Sequence, residues 1–280
     1  GLRSMGADFV LSHGVLEASA PDGLHGAEVY LELPSVGATE NILLAAVLAS
    51  GRTVISNAAR EPELADLAVY LNEMGAKVDG AGTSTIEVHG VDHLEPTTHR
   101  VVPDRLEAGT YALAGAITGG HVLVRDCVPD HLRMELRKME AAGCRVEMGE
   151  NWISVQGPGR AGPVDFATLP YPGFHTDMHP QMVAFLATAG GTSIITENVY
   201  AARFRYIGEM NRMGADIHVD GQHVVIRGVE SLSGCEVDGC DIRAGAALVL
   251  AGLRADGTTR VTEAHHVDRG YADFVPKLAA

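Results

Sequence analysis

The sequence predicts an α/β (α+β) protein built from repeated strand-helix-strand-helix-strand-strand (βαβαββ) units. Three observations carry that prediction. A glycine that closes a helix-like run and opens an alternating strand recurs as MGADFVL at 5–11, MGAKV at 74–78, AGCRVEM at 142–148 and MGADIHV at 213–219. Its glycines, Gly6, Gly75, Gly143 and Gly214, are spaced 69, 68 and 71 residues apart. A small-residue helix followed by a glycine and a strand recurs around Gly51, Gly119, Gly190 and Gly257, spaced 68, 71 and 67. Each period then closes on alternating stretches such as 217–219 and 224–226. Two independent markers with one period define a repeat architecture.

Taken in order, the first helix of a unit is the small apolar run, as in ENILLAAVLAS at 40–50, and the strand TVIS follows Gly51. The second helix is clearest from Pro62. A proline in the first turn loses no hydrogen bond, because the first-turn N–H groups have no partner inside the helix. Leu64, Leu67, Leu71 and Met74 then recur at helical spacing as one apolar stripe. Gly75 supplies the left-handed residue that ends it. Phe204, Ile207, Met210 and Met213 repeat the stripe and end at Gly214. By this phase the chain starts at the close of one helix and stops inside another. It therefore reads as a tail, three whole units and a head, with capping elements expected beyond both ends.

Composition narrows the function. The 280 residues hold 36 acidic and 21 Lys or Arg side chains, a formal net charge of −15. That disfavours non-specific nucleic-acid binding, and there is no polybasic run for an anionic membrane. No apolar run reaches a membrane span. The four cysteines, Cys127, Cys144, Cys235 and Cys240, fit neither a disulfide framework nor a zinc pattern, so no metal and a reducing cytoplasm are expected.

In βα repeats, anionic ligands gather at helix N-termini. First helices are expected to start near Ser35-Val36-Gly37, Asp104, Thr176-Asp177 and Asp241-Ile242-Arg243. Second helices are expected near Glu61-Pro62-Glu63, Pro129-Asp130, Ala202-Arg203 and Asp268-Arg269. Glu63, Arg203 and Arg269 each lie six residues after Asn57, Glu197 and Glu263, and read as equivalent positions. Arginine at a helix start opposes the helix dipole. Arg203, Arg243 and Arg269 therefore point either to a focused anion pocket or to salt bridges with the many carboxylates. Asp177 reads as a helix cap or as a base or hydroxyl acceptor. His175 and His179 read as surface or capping residues, the His265-His266 pair as a loop, and Trp152 as strand packing.

The segments SVGATEN (35–41), ISNAAREPEL (55–64), VPDRLEAGT (102–110), GENWISV (149–155), FHTDMHPQ (174–181), RFRYIGEMNRMGA (203–215), DIRAGAALVLAG (241–252) and HHVDRGY (265–271) resemble the UDP-N-acetylglucosamine 1-carboxyvinyltransferase family of enolpyruvyl transferases. The resemblance runs nearly end to end. It implies two inside-out α/β domains of βαβαββ units, with 1–102 the remainder of the first and 103–280 most of the second, lacking a strand that the N-terminal part of the family pattern contributes. It implies transfer of enolpyruvyl from phosphoenolpyruvate to the sugar 3′-hydroxyl with release of phosphate. That is the first committed step of peptidoglycan precursor synthesis, and it carries roles in cell wall biogenesis, cell shape and division. The implied partners are those two small molecules, in the cytoplasm, without cofactor, metal, nucleic acid or membrane. The implied roles are Asp177 on the sugar hydroxyl as base, and Arg203, Arg243 and Arg269 on the phosphate and carboxylate of phosphoenolpyruvate. Asp241 is a further active-site carboxylate, Ser35, Val36 and Gly37 face the diphosphate, and Val199 contacts the nucleotide sugar through its backbone. Glu61, Glu63, Asp104 and Glu107 line the domain interface.

The family's N-terminal Lys-Asn pair, its arginines there and its mobile loop carrying a catalytic Cys or Asp have no counterpart here. The expectation is a C-terminal two-thirds of the family pattern, cut just short of its end and inactive alone. The alternatives are a truncated non-catalytic paralogue or scaffold, and a related transferase acting on shikimate 3-phosphate, whose arginine-rich motifs find no match. A relation to RNA 3′-phosphate cyclases is disfavoured by the charge.

Overall fold

The computed structural model describes residues 1–279. The chain divides into two compact units, Gly1–Val102 and Pro103–Ala280.

The first unit begins with a turn closed at Gly6 and an antiparallel hairpin of β1 (Asp8–Ser12) and β2 (Val15–Ser19). One complete repeat follows: β3 (Glu28–Tyr30), α1 (Val36–Ala46), β4 (Arg52–Ser56), α2 (Pro62–Glu73), β5 (Lys77–Asp79) and β6 (Thr85–His89). The sheet order is β3-β4-β6-β5, with β3 and β4 parallel and the remaining pairs antiparallel. A parallel pair needs a crossover, and α1 supplies it. Val29, Ile42, Leu43, Ile55, Leu71 and Ile86 form the core between sheet and helices. Beyond β6 the chain returns along α2, where His99 meets Asp66 at 3.1 Å and Glu73 at 3.0 Å.

The second unit holds three repeats. The first comprises α3 (Arg105–Thr118), β7 (His121–Arg125), a 3₁₀ turn (Pro129–Leu132) running into α4 (Arg133–Ala141), β8 (Arg145–Met148) and β9 (Trp152–Gln156). The next comprises β10 (Phe166–Ala167), a 3₁₀ turn (Thr176–Met178) running into α5 (His179–Leu186), and β11 (Thr192–Thr196). It continues with a 3₁₀ turn (Arg203–Tyr206) into α6 (Ile207–Arg212), β12 (Asp216–Asp220) and β13 (His223–Arg227). The last comprises β14 (Glu236–Asp238), α7 (Ile242–Arg254), β15 (Arg260–Thr262), α8 (His265–Asp268) and α9 (Phe274–Leu278). The order β10-β11-β13-β12 reproduces that of the first unit.

Helices α3, α5 and α7 pack on one another at the centre, and every residue of α5 is buried. A helix apolar all round has to be enclosed. Small residues let these helices approach their neighbours: a Cβ on Gly245 would lie 2.5 Å from Val267, and one on Gly109 would lie 2.8 Å from Met178. The sheets therefore lie outside the helices, and β11 alternates exposed and buried side chains. This is the inside-out α/β architecture of repeated units that the sequence predicts.

Gly6, Gly75, Gly143 and Gly214 all sit at left-handed φ, from +90° to +101°. In each case the following N–H reaches back to the last helical turn, as Ala76 to Leu71 and Cys144 to Met139, both at 3.0 Å. Gly51, Gly119 and Gly257 are also left-handed. Gly190 is not, and its N–H donates to the Ala161 carbonyl at 2.7 Å.

The repeat containing α3 has no first strand among the described residues, as the resemblance implies for the second domain; 91–104 is the passage between units and carries Pro96 and Pro103, which cannot donate to a ladder. One expectation is corrected. Arg269 does not open a helix; it follows α8, and the next helix waits until Phe274. The cause is Tyr271, buried at 1 % exposure, which draws the chain inward before α9.

Glycines 75 and 214 meet nothing that a Cβ would strike, so substitution there tests conformation alone. Gly75→Ala and Gly214→Ala are each expected to destabilise by about 1–2 kcal/mol in urea titrations. Gly208→Ala, in open space on α6 with helical φ, is expected to stabilise by about 0.5–1 kcal/mol.

Candidate functional site

The four first helices are capped at equivalent positions by Ser35, Asp104, His175 and Asp241. The second residue after each cap is Gly37, Leu106, Asp177 and Arg243. Three of these four are residues the sequence singles out. Repetition thus delivers different chemistry to one kind of place, a first turn with unpaired N–H groups.

In the second unit the structure brings Asp177, Arg203 and Arg243 together. Arg203 Nη2 donates to Asp177 Oδ1 at 2.6 Å, and Arg243 Nε donates to Oδ2 at 3.2 Å. The side chains are 26 %, 9 % and 15 % exposed, respectively, so the cluster is largely shielded and Asp177 is its most exposed member. Burial pushes the Asp177 carboxyl up. The imidazole of His175 and the two guanidiniums outweigh that, and the carboxyl stays below its ordinary range. Arg203 Nε is buried without a hydrogen-bond partner among the described residues, and the guanidinium stacks 4.8 Å from the Tyr200 ring. Arg243 is steadied by Tyr271, whose hydroxyl accepts from Nη1 at 3.1 Å and from Gln181 Nε2 at 3.1 Å and donates to Thr110 Oγ1 at 3.0 Å.

The other expected residues take plainer places. Asp241 caps α7, accepting from the N–H groups of Arg243 and Ala244 at 2.8 Å each. Asp104 caps α3, and Glu107 pairs with Lys277 at 2.7 Å. Arg269 is exposed beside Gly270, whose Cβ direction points within 3.6 Å of Arg243 Nη1. The Val199 N–H donates to Glu197 at 2.9 Å, so a ligand contact from that backbone falls to its carbonyl. In the first unit Ser35 Oγ accepts from Ala38 N at 3.3 Å, and Gly37 and Ala38 at the start of α1 line an open depression with Leu2, Arg3, Phe9 and Asn41; Val36 does not line it. Among the described residues, Glu263, His265 and His266 are grouped as possible metal ligands, two of them exposed.

His175 is a cap, one of the two places expected for it, accepting from Asp177 N at 3.0 Å, while its own N–H donates to buried Glu135 on α4 at 2.8 Å. Sequence reasoning missed the other residues that hold this cluster, His179 and Glu197. His179 is not at the surface: its side chain is wholly buried and Nδ1 donates to Glu197 at 2.8 Å. The alignment of Glu197 with Asn57 also fails. Asn57, Asp126 and Glu263 are left-handed residues after their strands; Glu197 is not. Its N–H meets the Gln222 carbonyl as those of Ala58 and Cys127 meet Ser84 and Asn151. Glu197 therefore stands where two other repeats bury Ala58 and Cys127. Pairing Glu197 with the small residues Ala58 and Cys127 is the signal that could have found it.

Burial pushes Glu197 up, but hydrogen bonds from His179, Thr168 and the N–H groups of Tyr200 and Val199 bring it down to about 2. Burial lowers His179 against the pull of Glu197, so the pair is a neutral imidazole donating to a carboxylate. Both folded values lie below the unfolded ones, so both groups stabilise at neutral pH and lose that contribution on acidification. The His179 part begins to fall near 6.5, and the Glu197 part falls between 4.5 and about 2. His179→Gln is expected to flatten the loss of stability just below pH 6.5, measured as urea midpoints against pH, and to leave the lower limb in place.

The comparisons with known proteins follow this geometry. The family model described as EPSP synthase (3-phosphoshikimate 1-carboxyvinyltransferase) matches residues 1–278. The chain is 50 % identical over 280 residues to UDP-N-acetylglucosamine 1-carboxyvinyltransferase 1 of Caldanaerobacter subterraneus subsp. tengcongensis, covering 100 % of this chain and 67 % of that protein. It is 50 % identical over 278 residues to the protein of that name from Staphylococcus epidermidis, covering 99 % and 66 %. Among solved structures it is similar to the enolpyruvyl transferase NikO from Streptomyces tendae, with TM-score 0.89 at 24 % identity over 99 % of this chain and 69 % of that one. EPSP synthase from Acinetobacter baumannii gives TM-score 0.73 at 20 % identity, covering 99 % and 68 %. At those identities the structures speak for the fold alone. The described residues contain no helix long and apolar enough to cross a membrane. The chain belongs to the EPSP synthase-like enolpyruvyl transferase family and is a homologue of the UDP-N-acetylglucosamine 1-carboxyvinyltransferases, spanning about two thirds of the length of the relatives it matches.

Proposed function

We propose that this chain carries acceptor- and phosphate-binding chemistry for transfer of enolpyruvyl from phosphoenolpyruvate to the 3′-hydroxyl of UDP-N-acetylglucosamine, in peptidoglycan precursor synthesis in the cytoplasm. The observation that carries the reading is one carboxylate, Asp177, clasped by two guanidiniums in a shielded cluster on a chain 50 % identical to such transferases.

The reaction needs the sugar oxygen to add to C2 of phosphoenolpyruvate while C3 gains a proton. Phosphate then leaves C2 as C3 loses a proton, restoring the double bond. An Asp177 held ionised by Arg203 and Arg243 is a weak base. Phosphate and carboxylate groups compete for the same guanidiniums, and fork-shaped pairing favours them. As the arginines turn to these anions, Asp177 loses its counterions, its pKa climbs, and it becomes able to take the hydroxyl proton. Arg203, with a free buried Nε, and Arg243, with Arg269 nearby, then stabilise charge on the departing phosphate. Asp241 serves by fixing the backbone at Arg243. Ser35, Val36 and Gly37 offer the start of α1 to the diphosphate, and Val199 offers its carbonyl to the nucleotide sugar. Cys127 and Cys144 are poor proton donors to C3: burial raises the Cys127 thiol and pushes Cys144 up to about 12.

Calorimetry with UDP-N-acetylglucosamine tests the reading. The 280-residue chain is expected to bind, and Asp177→Ala to weaken binding about tenfold or more. Absence of binding by a folded chain overturns the assignment of this substrate to these residues. Phosphate release from phosphoenolpyruvate in the presence of UDP-N-acetylglucosamine is expected to be absent with this chain and present when it is joined to the N-terminal third of the Caldanaerobacter relative. In that joined protein, Arg243→Lys is expected to lower kcat/KM for phosphoenolpyruvate by about tenfold or more, because lysine cannot form the fork.

A further inference from the structure

Two polar residues in the second unit occupy slots that the other repeats fill with small side chains. Glu197 stands where Ala58 and Cys127 are buried in other repeats. His179, four residues after the cap of its helix, stands where α1 has Thr39, α3 has Ala108 and α7 has Gly245. Architecture alone asks only for small residues there. A carboxylate in such a slot costs several kcal/mol unless it is fully hydrogen-bonded.

The compensation is specific. Glu197 Oε2 accepts from His179 Nδ1 at 2.8 Å and from Thr176 Oγ1 at 3.0 Å. Those donors flank Asp177 in the chain. Oε1 accepts from the N–H groups of Val199 and Tyr200, both at 2.9 Å, and from Thr168 Oγ1 at 2.7 Å. Thr168 in turn accepts from Asn198 N at 2.9 Å. One oxygen therefore holds the turn that presents Asp177. The other holds the segment that leads to Arg203. The 2.6 Å contact between Asp177 and Arg203 closes the ring.

We infer that Glu197 and His179 are a positioning pair, whose buried hydrogen bonds set the placement of Asp177 relative to Val199 and Arg203. The inference rests on the reading of Asp177 and Arg203 as substrate-binding residues for its functional consequence, and on geometry alone for its structural one. Neither residue needs to touch substrate.

The test uses Glu197→Ala, Glu197→Gln, His179→Leu and His179→Gln in the 280-residue chain. Amide hydrogen exchange is followed at Val199 and Tyr200, with the β13 amides as internal reference, and UDP-N-acetylglucosamine binding is followed by calorimetry. Glu197→Ala and His179→Leu are expected to speed exchange at Val199 and Tyr200 at least tenfold while β13 is unchanged, and to weaken binding by a similar factor. Glu197→Gln, which keeps an acceptor but loses the charge, is expected to fall between Glu197→Ala and the parent. His179→Gln restores a side-chain N–H toward Glu197 and is expected to recover most of what His179→Leu loses. Unchanged exchange in Glu197→Ala overturns the inference, as does a His179→Gln variant no better than His179→Leu. If the parent chain binds no nucleotide sugar, the functional reading fails and the exchange data still decide the positioning role. If Glu197→Ala does not fold, the two His179 variants decide it.

Discussion

Mutual burial of α3, α5 and α7 is the constraint on which the second unit depends. Helices this apolar are enclosed over most of their surface, so the sheets lie outside them and the helix starts lie at the edge of the packed centre. A polar residue in a first turn has no freedom to drift from that edge. Asp177 and Arg243 are such residues, each two places after a cap, and close packing of α5 on α7 sets them within ion-pair distance. The shape of the core thus chooses which charges meet.

Electrostatics in this region is organised in two shells of different character. Inside, Glu197 and Glu135 are buried carboxylates, and Glu197 takes donors from every neighbouring segment. These groups hold backbone and leave nothing for a ligand. Outside, Asp177, Arg203 and Arg243 neutralise one another while Arg203 keeps a buried nitrogen unpaired. In the proposed reading an anion replaces the carboxylate at the guanidiniums, and Asp177, stripped of its counterions, then gains by taking a proton. Fixed inner partners and exchangeable outer ones suit a site in which one carboxylate changes from ion-pair partner to base.

Much of this was legible in the sequence. The four helix-ending glycines give the period, and their left-handed φ values follow from the need to turn a helix end into a strand. The apolar stripe from Leu64 to Leu71 gives α2, and the prevalence of small residues gives the central helices. The second unit's missing strand followed from the resemblance and not from local pattern, since 91–104 has room for one and is used as the route between units. Arg269 was placed at a helix start because spacing counts residues, whereas the buried ring of Tyr271 decides where the chain bends.

The sequence by itself determined the repeat, the element order, the caps at Ser35, Asp104 and Asp241, and the set of charges set against the helix dipole. These are local properties, written in neighbours and periods. The tertiary structure alone decided that His179 lies inside, that Glu197 is buried against it, and that Asp177 meets Arg203 and Arg243. Those outcomes depend on one residue of register after β11 and on how closely three helices pack. Residues far apart in the chain settle them together, and no single stretch encodes the result.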